Sequence, residues 1–306
     1  HDQQGMAYGL LDFGRGLIAA VLASVGVFVF SSAFPLGYDE ATLTHKGAVL
    51  KQVIYGYTTV TAAVGVLVWF TLKGFSEGDE KSNQHSPSQF FQQVKSVIQL
   101  KVVWLQATVL VCAYTSYKAF DQYALFAVRG HGIDEIDAAE IVTIGAWTRP
   151  IAALLLGVLG DRWGISRMAL VCFVLLIISH SLFAFTGTAL GSLDMILLNT
   201  LVTGIAIFGL RGLYFGLLEE GQVPLAQTGT AVGVVSVIGF TPDVYVAAMA
   251  GFLIDHSPGL LGFQHLFGIL LVFSVVGAIA ALQFPKHVQT RTDQTTAPVA
   301  IKSRSP

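Results

Sequence analysis

Long apolar runs dominate this sequence and restrict its fold more than any other feature. Each run holds about 20 residues, which at ~1.5 Å of rise per helical residue matches a hydrocarbon core of ~30 Å. The runs are continuous rather than ten-residue segments of alternating polarity, so they predict helices and not barrel strands. We therefore predict an all-α membrane protein, a polytopic helical bundle. Its eight predicted transmembrane helices are 16–36, 49–72, 100–123, 141–160, 168–185, 195–217, 230–254 and 266–282.

The composition agrees with a membrane protein and narrows the range of partners. Only 12% of the 306 residues are charged and 54% are hydrophobic, whereas about 25% of residues are charged in soluble domains. A net charge of −2 gives no reason to expect a nucleic-acid partner. Cys112 and Cys172 both fall inside apolar runs, where packing is the expected role of a cysteine. We predict no metal site and no cofactor.

Polar segments divide the chain into four predicted parts. Residues 73–88 have the composition of a flexible connector, and apolar residues recur at helical spacing over 89–99, as in a helix lying on the membrane surface. The chain begins without an initiator Met or a basic leader, so we expect preceding residues to be missing. The predicted parts are a two-span remnant of an N-terminal bundle at 1–72, a cytoplasmic linker with an interfacial helix at 73–99, a six-helix bundle at 100–284 and a disordered cytoplasmic tail at 285–306.

Basic residues outside the predicted spans indicate the orientation of the chain. The face that carries the connector holds eleven of them, and the opposite face holds only Lys46, Lys51 and Arg129. Because loops rich in Lys and Arg stay on the cytoplasmic side, we predict that the connector and both ends of this chain are cytoplasmic.

A short charged turn at residues 157–167, GVLGDRWGISR, separates two of the apolar runs. Gly157 and Gly164 allow the helix ends to approach closely, and Asp161 and Arg162 can cap backbone groups or pair across helices. The spacing G-x-x-x-D-R-x-G resembles the short cytoplasmic loop motif of the major facilitator superfamily of secondary transporters, in its copy between helices 8 and 9. The resemblance implies that these four residues form a conformational switch in alternating access.

The order of the segments extends this resemblance to nearly the whole chain. Two spans, a long connector and six spans look like helices 5 to 12 of a twelve-helix major facilitator protein, in which two six-helix halves flank a central cavity. Residues 211–221, 228–231 and 239–243 look like a poorly characterised bacterial branch, distantly similar to organophosphate and sugar-phosphate antiporters. The resemblance implies a multi-pass protein of the bacterial inner membrane, monomeric when complete, that binds a small organic anion.

Several charged residues lie inside the predicted spans. A charge at the bilayer centre costs ~2.5–3.5 kcal/mol, so such a residue normally faces a bundle interior or a wet cavity. In the functional interpretation, Lys118, Arg149, Arg211 and Tyr114 contact the substrate anion. Asp243 and Asp121 accept a coupling proton in the same interpretation.

A structural interpretation of the same charges stays open. Lys118 and Asp121 are three residues apart on one helix face and can neutralise each other. Arg211 can pair with Glu219 or Glu220 near the interface. Helical rise places Arg149 ~18 Å from the level of Asp161, which favours a contact with substrate over an interfacial role.

Proline accompanies two of the intramembrane charges, at Arg149-Pro150 and Pro242-Asp243. A proline inside a span frees a backbone carbonyl and loosens the helix. Both sites are therefore candidates for gating, although proline is also common in membrane helices that do not gate.

Three other functions fit the sequence less well than secondary active transport. An intramembrane enzyme would need a metal or nucleophile constellation, and the G-x-S-x-G match at 74–78 lies in the connector with no strand before it. A channel would need a filter or a ring of charges. A non-transporting membrane sensor or scaffold derived from a transporter is the main alternative, but it would not need Lys118, Arg149, Arg211 and Asp243 inside the membrane. We predict a transporter and not an enzyme.

Overall fold

The computed structural model describes residues 4–34, 43–72, 87–186 and 192–296, and all regular structure in these ranges is helical. Most of the predicted connector, residues 73–86, and the last ten residues lie outside the described part. A 3-10 turn (Phe120–Gln122) and a π turn (Phe126–Gly130) flank the short helix α5. The helices are α1 (Gln4–Ala33), α2 (Leu43–Leu72), α3 (Pro87–Ile98), α4 (Lys101–Ala119), α5 (Tyr123–Leu125), α6 (Glu135–Trp163), α7 (Ile165–Phe185), α8 (Leu193–Leu213), α9 (Leu217–Glu220), α10 (Leu225–Gly239), α11 (Pro242–His256) and α12 (Leu261–Thr296).

The candidate membrane spans agree with the predicted ones. In the described ranges, seven helical segments are long and apolar enough to cross a membrane alone, and there are eight if the bent pair Phe91–Ile98 and Lys101–Gly130 is counted as one span. The protein is therefore a polytopic helical membrane protein, as predicted. The seven single segments are Met6–Ala33, Thr44–Thr71, Glu135–Trp163, Ile165–Phe185, Leu193–Leu213, Ala226–His256 and Leu261–Phe284.

A sharp bend separates α3 from α4. The two helices meet at 79°, and the indole nitrogen of Trp104 donates a hydrogen bond of 2.8 Å to the Ile98 carbonyl at the bend. α3 packs against α10; its Val97 side chain is buried and its Phe91 side chain is exposed. The helix predicted over 89–99 is thus present, and its place on a membrane surface stays a prediction.

Aromatic side chains pack together where α7 ends and α12 begins. The Phe126 ring lies 4.7 Å from Phe183, 5.4 Å from Phe263 and 5.0 Å from Phe267 between centroids, and these four side chains are buried. Aromatic contacts of this kind stabilise a structure beyond the burial of apolar area alone. They therefore hold α7 and α12 against the π turn that contains Phe126. Cys112 and Cys172 are free and buried among the same helices, consistent with packing.

The helix α1 connects the N-terminal part of the chain to the rest. It packs along α6 and also contacts α8, whereas α2 packs against α1 and exposes most of its apolar side chains. The approach to α6 is close at Gly16, where an added Cβ would lie 2.7 Å from Arg149 Cγ and 2.9 Å from the Pro150 nitrogen. Only glycine lets two helix backbones come this near without displacing either.

The span Ala226–His256 contains a break in its regular helix. α10 ends at Gly239 and α11 begins at Pro242, which has no N–H for the Ile238 carbonyl one turn earlier. The Thr241 hydroxyl donates to that carbonyl at 2.7 Å. The freed backbone group is therefore satisfied locally, and Asp243 lies in the first turn of the new helix.

The glycine pairs of the chain pack closely at one site and not at the other. The spacing Gly-x-x-x-Gly predicts close helix packing at Gly212 and Gly216 and again at Gly229 and Gly233. An added Cβ would lie 3.0 Å from the Ala153 carbonyl oxygen at Gly212 and 2.6 Å from Ile165 Cδ1 at Gly216. Nothing lies within 4 Å at Gly229 or Gly233, where the prediction is wrong. Gly229 and Gly233 line an open groove beside α3 instead.

Part of the predicted tail at 285–306 lies in the described structure. Residues 285–296 continue α12 as a helix, and residues 297–306 lie outside the described part.

Candidate functional site

The site is centred on Asp12, a carboxylate on α1 that two arginines from other helices approach. Arg149 Nη2 on α6 lies 3.2 Å from Asp12 Oδ1 and donates a hydrogen bond to it. Arg211 Nε on α8 lies 3.6 Å from the same oxygen. One carboxylate oxygen thus faces two guanidinium groups, and we call Asp12, Arg149 and Arg211 the two-arginine cluster.

The two-arginine cluster is buried and is not fully satisfied. The side chains of Asp12, Arg149 and Arg211 are 8%, 13% and 13% exposed. Asp12 Oδ2 and the Nε atoms of both arginines have no hydrogen-bond partner. Two cations and one anion leave a formal charge of +1, and buried charge is costly unless it is paired and hydrogen-bonded. The cluster therefore has both the charge and the free donors to accept a further anion.

Aromatic rings connect this cluster to a second group of charges. Arg211 Cζ lies 4.2 Å from the centroid of the Tyr117 ring, a cation–π contact. The Tyr117 ring lies 5.3 Å from that of Tyr114, and the Tyr114 hydroxyl donates a hydrogen bond of 3.0 Å to Asp243 Oδ2. A continuous series of contacts thus runs from Arg211 to Asp243.

The second group, the Lys118 cluster, consists of Lys118, Asp121, Asp243 and Tyr114. Lys118 Nζ lies 3.5 Å from Asp121 Oδ2 and 3.4 Å from Asp243 Oδ1. Its two carboxylates are 66% and 48% exposed, so this cluster is far more open than the two-arginine cluster. The Lys118–Asp121 pairing is the structural interpretation drawn from the sequence, and Asp243 adds a second partner from α11.

The turn between α6 and α7 is held from two sides. The Met6 backbone N–H, in the first turn of α1, donates to Asp161 Oδ2 at 2.8 Å. Glu220 accepts from the Ser166 N–H at 2.7 Å and from the Ser166 hydroxyl at 2.5 Å. Each carboxylate satisfies a donor at a helix start, where intrahelical partners are lacking. Gly164 closes the turn with a φ of +98°, which favours glycine.

The structure groups the predicted site residues differently from the sequence. Helical rise placed Arg149 and Arg211 at different depths, yet both side chains reach one carboxylate. The structural alternative in which Arg211 pairs with Glu219 or Glu220 is not seen among the described contacts, because Arg211 contacts Asp12 and Glu220 caps α7. Lys118, Asp121, Asp243 and Tyr114 do lie together.

Sequence reasoning missed Asp12, because the first span was placed at 16–36 and left this residue outside the membrane. The candidate span begins at Met6 instead. The apolar residues that flank Asp12, among them Leu10, Leu11 and Phe13, carried the signal for the longer helix. His180, which lies inside the apolar run 168–185, is buried with its Nδ1 3.0 Å from the Ser274 hydroxyl, as is typical of a satisfied core residue.

Comparisons with known proteins agree with the class that the fold defines, a polytopic helical membrane protein. No protein-family model matches the chain. The chain is 23% identical over 308 residues to Inner membrane protein YihN of Escherichia coli K12, a match that covers 97% of this chain and 69% of that protein. It is 24% identical over 308 residues to Inner membrane protein YqcE of the same strain, covering 99% of this chain and 70% of that protein. The chain is thus similar to two bacterial inner membrane proteins along almost its whole length.

Proposed function

We propose that this chain is a secondary active transporter of the major facilitator type in the bacterial inner membrane. It carries a small organic anion by alternating access, with proton coupling or exchange, and it is not an enzyme. The observation that carries the proposal is the two-arginine cluster, in which two buried guanidinium groups share one carboxylate oxygen. A structural ion pair needs one cation for one carboxylate, and the second cation supplies binding capacity for an anion.

Guanidinium geometry supports an oxyanion as the ligand. Each arginine presents several donors in a fixed plane that matches carboxylate and phosphate groups. The Nε atoms of Arg149 and Arg211 are buried without a hydrogen-bond partner. An anion that reached these donors would satisfy groups that are now costly to bury.

The Lys118 cluster is the proposed route for the coupling proton. Asp243 and Asp121 are half-exposed or more, whereas Asp12 is buried. A carboxylate that exchanges protons with water must be accessible to it, so Asp243, with Asp121, accepts the proton in this proposal. The Tyr114 and Tyr117 side chains connect Asp243 to Arg211 on the anion side.

The helix α1 supplies the proposed link to alternating access. In the proposed fold it belongs to the N-terminal bundle, while α6, α7 and α8 belong to the C-terminal bundle. The Met6–Asp161 hydrogen bond and the contacts of Asp12 with both arginines all cross between these bundles. Opening between the bundles would break them together, which makes the turn at Asp161 and Arg162 a switch element.

Transport by the variant Arg149→Gln tests the proposal. Wild-type protein and the variant are reconstituted in proteoliposomes and supplied with radiolabelled monocarboxylates and sugar phosphates under an imposed pH gradient. We expect uptake of at least one class by the wild type and its loss in the variant. Arg129→Gln is the matched control, because Arg129 pairs with Asp255 at an exposed site. Equal uptake by the wild type and Arg149→Gln would exclude the arginine from the site.

A further inference from the structure

We propose that Asp12 is an internal anion that occupies the two arginines until the substrate replaces it, and that Asp12 takes up one proton when it is displaced. This inference rests on the proposed function and deepens it, because it assigns the group that takes up a proton when the substrate binds. Asp243 remains the group that exchanges protons with water.

The contacts of Asp12 are those of a replaceable ligand. It uses only Oδ1 to face both guanidinium groups, at 3.2 Å and 3.6 Å, and its Oδ2 is buried without a hydrogen-bond partner. A charge-assisted hydrogen bond is normally shorter, at about 2.7–2.9 Å. A substrate oxyanion that offers two oxygens to the arginines would therefore make better contacts than Asp12 does.

When the substrate displaces Asp12, the buried carboxylate no longer faces the two arginines, and this favours its protonation. Burial disfavours the charged form of a group unless an opposite charge compensates it. The neutral acid then donates through its O–H, and no bond other than the O–H bond is formed or broken. The proton comes from water by way of the Lys118 cluster.

The charge balance predicts the stoichiometry of coupling. Before binding, Arg149, Arg211 and ionised Asp12 sum to +1. After binding, two arginines, a substrate monoanion and neutral Asp12 also sum to +1. One monoanion and one proton are therefore bound together, so the site charge is unchanged and transport is electroneutral.

The helices packed against α1 place few other titratable groups near Asp12. Besides Arg149, α6 places no further charge in contact with Asp12 among the described ion pairs and hydrogen bonds. From the α8 side, Tyr214 interacts electrostatically with Asp12 and with Arg15 of α1. α2 contacts α1 far from this level, where the Tyr57 hydroxyl donates to the Leu22 carbonyl. Among the described ion pairs, Arg149 and Arg211 are the cations that pair with Asp12, and Arg15 stays charged before and after binding, so it does not alter the balance.

Anion binding by the purified protein in detergent, at equilibrium, tests the inference. Acetate and sulfate are the probes, because neither titrates near pH 7 and they represent carboxylate and phosphate-like chemistry. Binding is followed by the rise in melting temperature with anion concentration, and proton uptake by an indicator dye in weakly buffered solution. We expect the wild type to take up one proton per bound anion. Asp12→Asn should bind about tenfold tighter or more and take up none.

Two further variants keep the test decisive. Asp12→Glu should restore proton uptake, and Asp243→Asn should retain it, because Asp243 affects the route of the proton and not its final site. If Asp12→Asn does not fold, Asp12→Ser replaces it, because it removes the same carboxylate, keeps both arginines and should again bind without proton uptake.

Proton uptake that persists in Asp12→Asn overturns the inference, as does failure of that variant to bind either probe more tightly than the wild type. The proposed transport function is tested separately, by whether Arg149→Gln loses uptake in proteoliposomes.

Discussion

The backbone N–H of Met6 lies 2.8 Å from Asp161 Oδ2 and joins the start of α1 to the turn between α6 and α7. The carboxylate acts as the cap of a helix that is 155 positions away in sequence. Because the first N–H groups of a helix lack intrahelical partners and carry partial positive charge, this contact both satisfies a donor and fixes the position of α1.

Replacing Asp161 should loosen that junction by a measurable amount. Loss of a capping side chain costs ~0.5–2 kcal/mol, and Asn caps about as well as Asp. We expect Asp161→Ala to lower the melting temperature of the detergent-solubilised protein and Asp161→Asn to retain most of the stability. Arg162→Ala, at the exposed neighbouring position, is the control. Equal melting of Asp161→Ala and wild type would mean that this hydrogen bond does not stabilise the protein.

Two glycines of α1 offer a matched pair for testing the contact with α6. An added Cβ at Gly16 would lie 2.7 Å from Arg149 Cγ, whereas nothing lies within 4 Å at Gly14. We expect Gly16→Ala to destabilise the protein by ~1–3 kcal/mol through overpacking. Gly14→Ala should be neutral or stabilising by up to ~1 kcal/mol, because alanine is the better helix former. Melting of both variants in the same detergent checks this, and similar effects at the two positions would contradict the close approach.

The Glu220 carboxylate should stabilise the start of α7. It accepts two hydrogen bonds from Ser166, one from the backbone N–H and one from the hydroxyl. Ser166 is buried, so removing the acceptor leaves two buried donors unpaired, which costs ~1–3 kcal/mol. We expect Glu220→Ala to lower stability by about this amount in thermal melts and Glu220→Gln to recover part of it. Glu219→Ala, on the same short helix α9, is the control, and a loss as large there would rule out a specific cap.

The spans could be predicted from sequence because membrane insertion depends on a local property, the length of an apolar run. Charges weaken that signal at the ends of a span. Asp12 and Arg15 made the predicted first span begin at Gly16, ten residues after the candidate span begins at Met6. The boundary between α3 and α4 could be predicted from the change from an amphipathic to a uniformly apolar pattern, but the 79° bend between the two helices was not predicted.

The partners of the charged residues could not be predicted in the same way. Lys118 and Asp121 pair over three positions of one helix, so their contact follows from helical geometry. Arg211 pairs with Asp12 across two helices far apart in sequence, and only tertiary packing decides that choice. The depth of Arg149 and Arg211 counted along their helix axes did not predict their common partner either. An arginine side chain is long enough for its charge to lie well away from its Cα.

Asp243→Asn should separate proton coupling from substrate movement. Asp243 faces Lys118 at 3.4 Å and accepts from Tyr114 at 3.0 Å, and an amide preserves an acceptor while removing the titratable group. We expect the variant in proteoliposomes to catalyse counterflow of a labelled organic anion but not its accumulation driven by a pH gradient. Counterflow needs no net proton transfer, whereas accumulation does. Asp255→Asn is the matched control on the same helix, since Asp255 pairs with Arg129 at an exposed position. Accumulation at the wild-type rate in Asp243→Asn would remove Asp243 from the proton route, and loss of counterflow as well would indicate a role in holding the substrate site.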